Sequence, residues 1–179
     1  MINREQMIAI RTTLAGLPRT QTPGGSVCNT MRSMSSLGAN SGFIGKIGDD
    51  SIGGFYEDAL EKAGVTSYFI KTDGLTGSCT VMISPDGERT MGTFLGPAPT
   101  ITPDEITEEM LSKYQCIYIE GYLLVNEPLV RSTMEKAKKL GLKVALDLSN
   151  FNIVNAFKGM LEDIIPKYVD ILFLSLIHI

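Results

Sequence analysis

Apolar residues recur at Met7, Ile8, Ile10, Leu14 and Leu17, a spacing that predicts an amphipathic helix over 3–17. A polar loop over 20–25 follows, with Pro23, Gly24 and Gly25. A second helix is predicted from Ser26, with Ser26 as its cap, a stripe of Val27, Met31, Met34 and Leu37, and Gly38 as its stop. Residues 41–47 read as a short strand, Gly48-Asp49-Asp50 as a turn, and 51–63 as a helix closed by Gly64. Residues 65–70, β-branched and aromatic, form the next predicted strand.

The texture then changes. Two strand-like runs, 77–84 and 89–95, flank Pro85-Asp86-Gly87-Glu88, and Asp-Gly in that setting signals a hairpin. After Gly96-Pro97 the alternation resumes. Thr102 caps a predicted helix beginning at Pro103, 116–119 is an apolar strand, and 127–140 is a helix stopped by Gly141. A buried-looking strand over 142–148, a helix over 155–165 and a strand over 169–173 complete the order. Alternating strands and helices predict an α/β fold with a mostly parallel sheet and right-handed crossovers. The hairpin over 77–95 is out of character with that layer and reads as a small β appendage, or lid.

Composition narrows the function classes. The 179 residues hold 44% hydrophobic and 20% charged positions, enough apolar surface for one globular domain. The net charge is −4 with no basic stripe, which argues against nucleic-acid binding. His178 is the only histidine, so a His-based triad or a multi-His metal site is excluded from the prediction. Cys28, Cys79 and Cys116 are odd in number, widely spaced and without a CxxC, which points to packing roles and a reducing, cytoplasmic setting. No apolar run is long enough to span a bilayer.

Four groups of residues are candidates for chemistry. Gly24 and Gly25, just before a helix start, expose backbone N–H groups to a ligand, and the Asn29 amide in the first turn offers a donor and an acceptor to paired hydroxyls. A flexible lead-in and a solvated Asn29 explain the same spacing. Asp50 or Ser51 is an N-cap more simply than a metal ligand, with Gly48 supplying the turn and Gly53 close packing. Arg89 opens the second hairpin strand, where it either reaches a polar substrate or serves as an edge-strand charge. Glu120 and Asp147 fall at the carboxyl ends of two predicted parallel strands, the edge where such sheets collect ligands; each could equally cap a loop.

In order, these pieces resemble the ribokinase-like (PfkB) carbohydrate kinases, in particular their bacterial adenosine-kinase-like and sugar-kinase branch. The matching residues are Gly24-Gly25-Ser26-Val27-Cys28-Asn29-Thr30, Leu37-Gly38, Phe43-Ile44-Gly45-Lys46-Ile47-Gly48-Asp49-Asp50 and Glu61-Lys62-Ala63-Gly64-Val65. They continue through Thr76-Gly77, Gly87-Glu88-Arg89-Thr90-Met91, Ile119-Glu120-Gly121-Tyr122, Val144-Ala145-Leu146-Asp147 and Val169-Asp170-Ile171-Leu172-Phe173. The resemblance implies a three-layer α/β sandwich with a β lid. It implies transfer of the γ-phosphoryl of ATP, with Mg²⁺, to a primary hydroxyl of a sugar or nucleoside. On that resemblance Gly24, Gly25, Asn29 and Glu120 hold the substrate, Arg89 sits on the lid, and two copies can pair through the lid.

The departures from the family set further expectations. The family's early strand with its sugar-gripping aspartate should precede the 3–17 helix, and no residues of this chain correspond to it. The Gly-Ala-Gly-Asp segment that supplies anion hole and base is absent, and Ser175-Leu176-Ile177-His178 stands where Asn-x-x-Glu is usual. No catalytic or metal-binding residue is therefore assigned to this chain. Residues 1–173 are expected to be the N-terminal part of one kinase domain, inactive by itself, with ATP and Mg²⁺ bound mainly elsewhere. Residues 174–179 are expected to be foreign to the pattern. A non-catalytic sugar- or nucleoside-binding module is the alternative. A generic Rossmann-like cofactor binder would need a glycine-rich turn directly after its first strand, and none is found.

Overall fold

The computed structural model describes residues 1–174. The elements run α1 (Arg4–Thr13), α2 (Ser26–Ser36), β1 (Ser41–Gly48), α3 (Ser51–Lys62), β2 (Val65–Thr72), β3 (Ser78–Ile83), β4 (Arg89–Phe94) and α4 (Glu108–Leu111). They continue with β5 (Cys116–Glu120), α5 (Glu127–Lys139), β6 (Lys143–Asp147), α6 (Phe151–Ala156), α7 (Lys158–Tyr168) and β7 (Ile171–Phe173). The predicted α/β alternation and the hairpin interrupting it are both present.

Two parallel sheets form, not one continuous sheet. β1 pairs with β2 from Ser41↔Val65 to Gly48↔Thr72, and β5, β6 and β7 pair side by side. Among the described residues no ladder joins β1 to β5. β3 and β4 pair antiparallel around the 84–88 turn, where Gly87 has φ 85°.

The larger core lies under β5–β7. α5 turns Leu129, Val130, Thr133, Met134 and Ala137 inward, a helical stripe that covers the buried Val144 and Leu146 of β6. α7 adds Leu161 and Ile164, and Arg131 of α5 holds Asp163 of α7 at 2.6 Å. The smaller core joins Cys28 of α2, Leu60 of α3 and Val65 of β2, with Phe43, Tyr56 and Phe69 packed beside them. α1 backs the hairpin: Met7 is buried, Ile2 N donates to Thr93 O at 2.9 Å, and Arg11 Nη2 donates to Ser78 Oγ at 2.8 Å.

Several expected boundaries move, each for a local reason. α1 ends at Thr13, with Asn3 and Gln6 forming a reciprocal capping box at its start. Gly25, not Ser26, occupies the N-cap position of α2. Met34 and Leu37 are exposed, because Cys28 and Met31 carry the contact to the smaller core. The helix expected at Pro103 is a single 3₁₀ turn, Pro103–Glu105; Thr107 then caps α4, its Oγ1 accepting from Met110 N at 3.2 Å. The helix expected over 155–165 splits at Phe157. It starts early because the Asn150 side chain accepts from the amides of Asn152 and Ile153. Cys28 is buried as expected, but Cys79 and Cys116 are exposed, so packing does not account for those two. Leu174 is half exposed, and the rest of the 174–179 expectation lies outside the described residues.

Candidate active site

The predicted ligand edge is built at one end of the parallel strands. Glu120 closes β5 and Asp147 closes β6, and the two are register partners. The chain leaves β5 through Gly121, where a Cβ would lie 2.6 Å from Asp147 O and 3.0 Å from Ser149 Oγ. Only glycine permits that approach, and it keeps the two strand ends together.

Across from this edge stands the start of α2. Gly25 has φ 102° and ψ 140°, a conformation costly for any other residue, and α2 has no side-chain cap. Asn29 N donates to Gly25 O at 3.0 Å, closing the first turn and leaving the preceding amides without helical partners. Ser26, expected as the cap, instead donates its hydroxyl to Glu120 Oε1. That bond spans 94 residues of sequence and brings the glycine loop to the β5 end. The bond thus brings Ser26, next to Gly24 and Gly25 in the chain, to the edge where Glu120 and Asp147 end, while no hydrogen bond among the described residues ties the Asn29 side chain to that edge.

The polar groups there are unevenly engaged. Asp147 Oδ1 accepts from Ser149 N at 3.2 Å. Burial, then the Asp147 carboxylate, pushes the Tyr118 phenol on β5 above its ordinary value. The Asn29 side chain is exposed and borders a cleft of about 380 Å³ shared with Arg32, Ser33 and Ser36. Ser149 has φ 61°, and its buried Oγ has no hydrogen-bond partner. Arg89 sits at the tip of the hairpin, exposed, opposite Ile83. No hydrogen bond among the described residues ties it to the strand-end group.

The hairpin's base is fixed where sequence reasoning saw only a turn and a cap. Asp50 caps α3 by accepting from Gly53 N at 2.8 Å. The same carboxylate accepts from Thr76 Oγ1 at 2.6 Å and from Thr76 N at 3.1 Å. Burial works to raise the Asp50 carboxyl. The bonds from Thr76 and Gly53 outweigh it and hold the group below the ordinary carboxylate value. Gly48 and Gly53 are both tight: their Cβ atoms would lie 2.4 Å from Gly74 O and 2.3 Å from Gly48 O. Gly53 packs closely as expected, whereas Gly48, expected to supply the turn, ends β1 and is needed for close packing against Gly74 instead.

Sequence reasoning missed Ser26 as the partner of Glu120, Thr76 as the partner of Asp50, and Tyr56, whose hydroxyl donates to Gly24 O at 2.9 Å. It also missed Ser149, for which the sequence carries no signal. Among the described residues no group of three His, Cys, Asp or Glu side chains is placed to hold a metal ion. No chemical step is therefore assigned to a metal ion held by these residues.

A family model for pfkB family carbohydrate kinases matches residues 12–176. The chain belongs to that family. It is 29% identical over 157 residues to the probable fructokinase-3 of Arabidopsis thaliana, covering 80% of this chain and 45% of that protein. The fructokinase of Klebsiella pneumoniae is 29% identical over 134 residues, covering 71% of this chain and 43% of that protein. Among solved structures, the adenosine kinase from Sinorhizobium meliloti superposes with a TM-score of 0.82 at 27% identity, over 96% of this chain and 54% of that one. A probable sugar kinase protein from Rhizobium etli gives 0.83 at 23% identity, covering 96% and 53%, which supports the fold alone. The PfkB chain spans about half the length of the relatives it matches, and its fold is the ribokinase-like α/β architecture, incomplete relative to theirs. No helix among the described residues is long and apolar enough to cross a membrane.

Proposed function

We propose that this chain is the acceptor-binding and lid portion of an ATP-dependent PfkB kinase that phosphorylates a primary hydroxyl of a sugar or of adenosine. The observation that supports the reading is the Ser26–Glu120 bond, which brings the start of α2, just after Gly24 and Gly25, to the ends of β5 and β6; Asn29 follows one turn further along α2. Free helix-start amides donate to hydroxyl oxygens, Asn29 both donates and accepts, and Glu120 accepts a hydrogen bond from a hydroxyl. Such a set suits vicinal hydroxyls. The hairpin over 77–95 covers the acceptor and limits water access, so that ATP is not spent on hydrolysis. Arg89 lies on that hairpin and contacts the acceptor or the solvent-facing rim.

Phosphoryl transfer also needs a positioned base and charge stabilisation at the phosphate. ATP and Mg²⁺ are assigned to other parts of the kinase, because no Gly-Ala-Gly-Asp segment occurs in this sequence. The chain as given is then inactive, and the same absence favours a second reading, a non-catalytic sugar- or nucleoside-binding module. The outer hairpin face exposes Val81, Ile83 and Met91, which supports pairing of two copies through the lid. Three free thiols agree with a cytoplasmic setting.

A coupled ATP assay on adenosine and a panel of sugars tests both parts. The complete protein turns over one of these acceptors and the 179-residue chain turns over none. Turnover by the 179-residue chain contradicts the assignment of base and phosphate sites elsewhere. A complete protein that binds an acceptor without transfer supports the second reading.

A further inference from the structure

The loop that carries Gly24 and Gly25 has few anchors. Between Pro18 and Gly24 one local bond forms, from Thr22 Oγ1 to Pro23 O at 3.4 Å. Among the described residues a single hydrogen bond reaches this stretch from another element, and its donor is the Tyr56 hydroxyl of α3, 2.9 Å from Gly24 O. The ring behind that hydroxyl is held on two sides. Phe43 of β1 meets it edge-on at 5.9 Å between centroids, and Phe69 of β2 lies at 5.5 Å. Aromatic pairs at these separations fix ring orientation as well as burying area. The hydroxyl therefore reaches the loop from a rigid support made by both strands of the first sheet.

The loop is shaped to receive it. Gly25 must hold φ 102°, and a Cβ there would stand 3.9 Å from both Tyr56 Oη and Cys28 Cβ. Space is thus not what demands glycine; the backbone turn is, and the turn is what aims the Gly24 carbonyl at Tyr56. Burial, followed by the neighbouring Cys28, pushes the Tyr56 phenol well above its ordinary value, so the hydroxyl keeps its proton.

We propose that Tyr56 is a positioning residue for acceptor binding, its hydroxyl fixing the Gly24 carbonyl so that the Gly24–Gly25 loop is presented in one conformation to the acceptor hydroxyls. The inference rests on the acceptor-site reading above. It adds a residue outside the strand-end group that acts through the loop. Without the anchor the loop samples many conformations, and the acceptor must select the competent fraction, which raises its apparent dissociation constant by that factor.

Tyr56→Phe removes the oxygen and keeps the ring, so the aromatic cluster and the fold persist. In the complete protein the KM for the phosphoryl acceptor is expected to rise about 5- to 10-fold, the factor for one neutral hydrogen bond. The KM for ATP and kcat stay within about twofold, and the melting temperature moves by no more than about 4 °C. An unchanged acceptor KM, or a loss shared equally by acceptor KM, ATP KM, kcat and melting temperature, overturns the proposal. A readout independent of activity runs in parallel on the complete protein. Backbone ¹⁵N order parameters at Gly24 and Gly25 fall from about 0.85 to below about 0.6 in Tyr56→Phe, while those of β1 and β2 hold. Unchanged order at the two glycines overturns the anchoring claim. If the complete protein transfers phosphoryl to no acceptor, the kinase reading fails, and the order parameters still decide whether Tyr56 anchors the loop.

Discussion

Replacing Asp50 with alanine breaks three hydrogen bonds at once, and their loss sets the expected cost. The Gly53 amide loses its cap, a change that costs about 1 kcal/mol at a helix start. Thr76 is only 5% exposed, so its amide and hydroxyl lose a partner with little water to replace it. A buried donor left unpaired costs about 1–3 kcal/mol. Gly48 O remains 3.2 Å from Thr76 Oγ1 and absorbs part of that penalty, which brings the total to about 2–4 kcal/mol. For a chain of this size that is a fall in melting temperature of about 4–16 °C, read by thermal or urea denaturation. The pH dependence gives a second reading. Asp50 is held below the ordinary carboxylate value in the folded state. Its contribution is therefore complete above the unfolded value of about 4 and is lost as pH falls through the lower folded value. The gap between wild type and Asp50→Ala stays constant from about pH 7 to about pH 5 and narrows below about pH 4. A loss under about 0.5 kcal/mol, or a gap that does not narrow in acid, refutes the view that this carboxylate ties the hairpin base to α3.

Two further predictions test the local geometry. Gly53→Ala and Gly54→Ala are neighbours in α3 with opposite expected signs. A Cβ at Gly53 would lie 2.3 Å from Gly48 O, whereas one at Gly54 meets nothing within 4 Å. Denaturation should show Gly53→Ala losing about 3 kcal/mol or more and Gly54→Ala gaining about 0.5–1 kcal/mol; a match between the two sinks the close-packing account. At Ser149, where φ is 61°, glycine relieves the left-handed backbone and alanine does not. Ser149→Gly should be more stable than Ser149→Ala by about 1 kcal/mol, and equal midpoints would show that the residue is not strained in solution.

The fold was legible wherever one face of an element decides its burial. α5 carries its apolar stripe to the end and stops at Gly141, and β3 and β4 meet around Asp86-Gly87 as their alternation predicts. It was least legible where side-chain caps compete with periodicity. Asn150 starts a helix four residues before the apolar spacing does, and Thr107 restarts one that Thr102 and Pro103 only begin. Strand pairing was beyond reach too, since nothing in local pattern says which strands of a parallel sheet are neighbours. In the site, Glu120 and Asp147 could be placed at one edge from strand ends alone, because parallel strands end on the same side. What joins that edge to Gly24 and Gly25 is long-range: Ser26 meets Glu120 across 94 residues, and Tyr56 meets Gly24 across 32. Ser26 satisfied every local rule for a cap, and a tertiary acceptor claimed its hydroxyl instead.

The acceptor KM of Asn29→Ala in the complete protein tests the central claim most directly. Asn29 is exposed and makes no side-chain hydrogen bond among the described residues, so its removal leaves folding undisturbed. If its amide grips the hydroxyls of a sugar or nucleoside, the acceptor KM rises about 10-fold or more while the KM for ATP and the melting temperature stay at their wild-type values. An unchanged acceptor KM would contradict the assignment of this edge as the acceptor site.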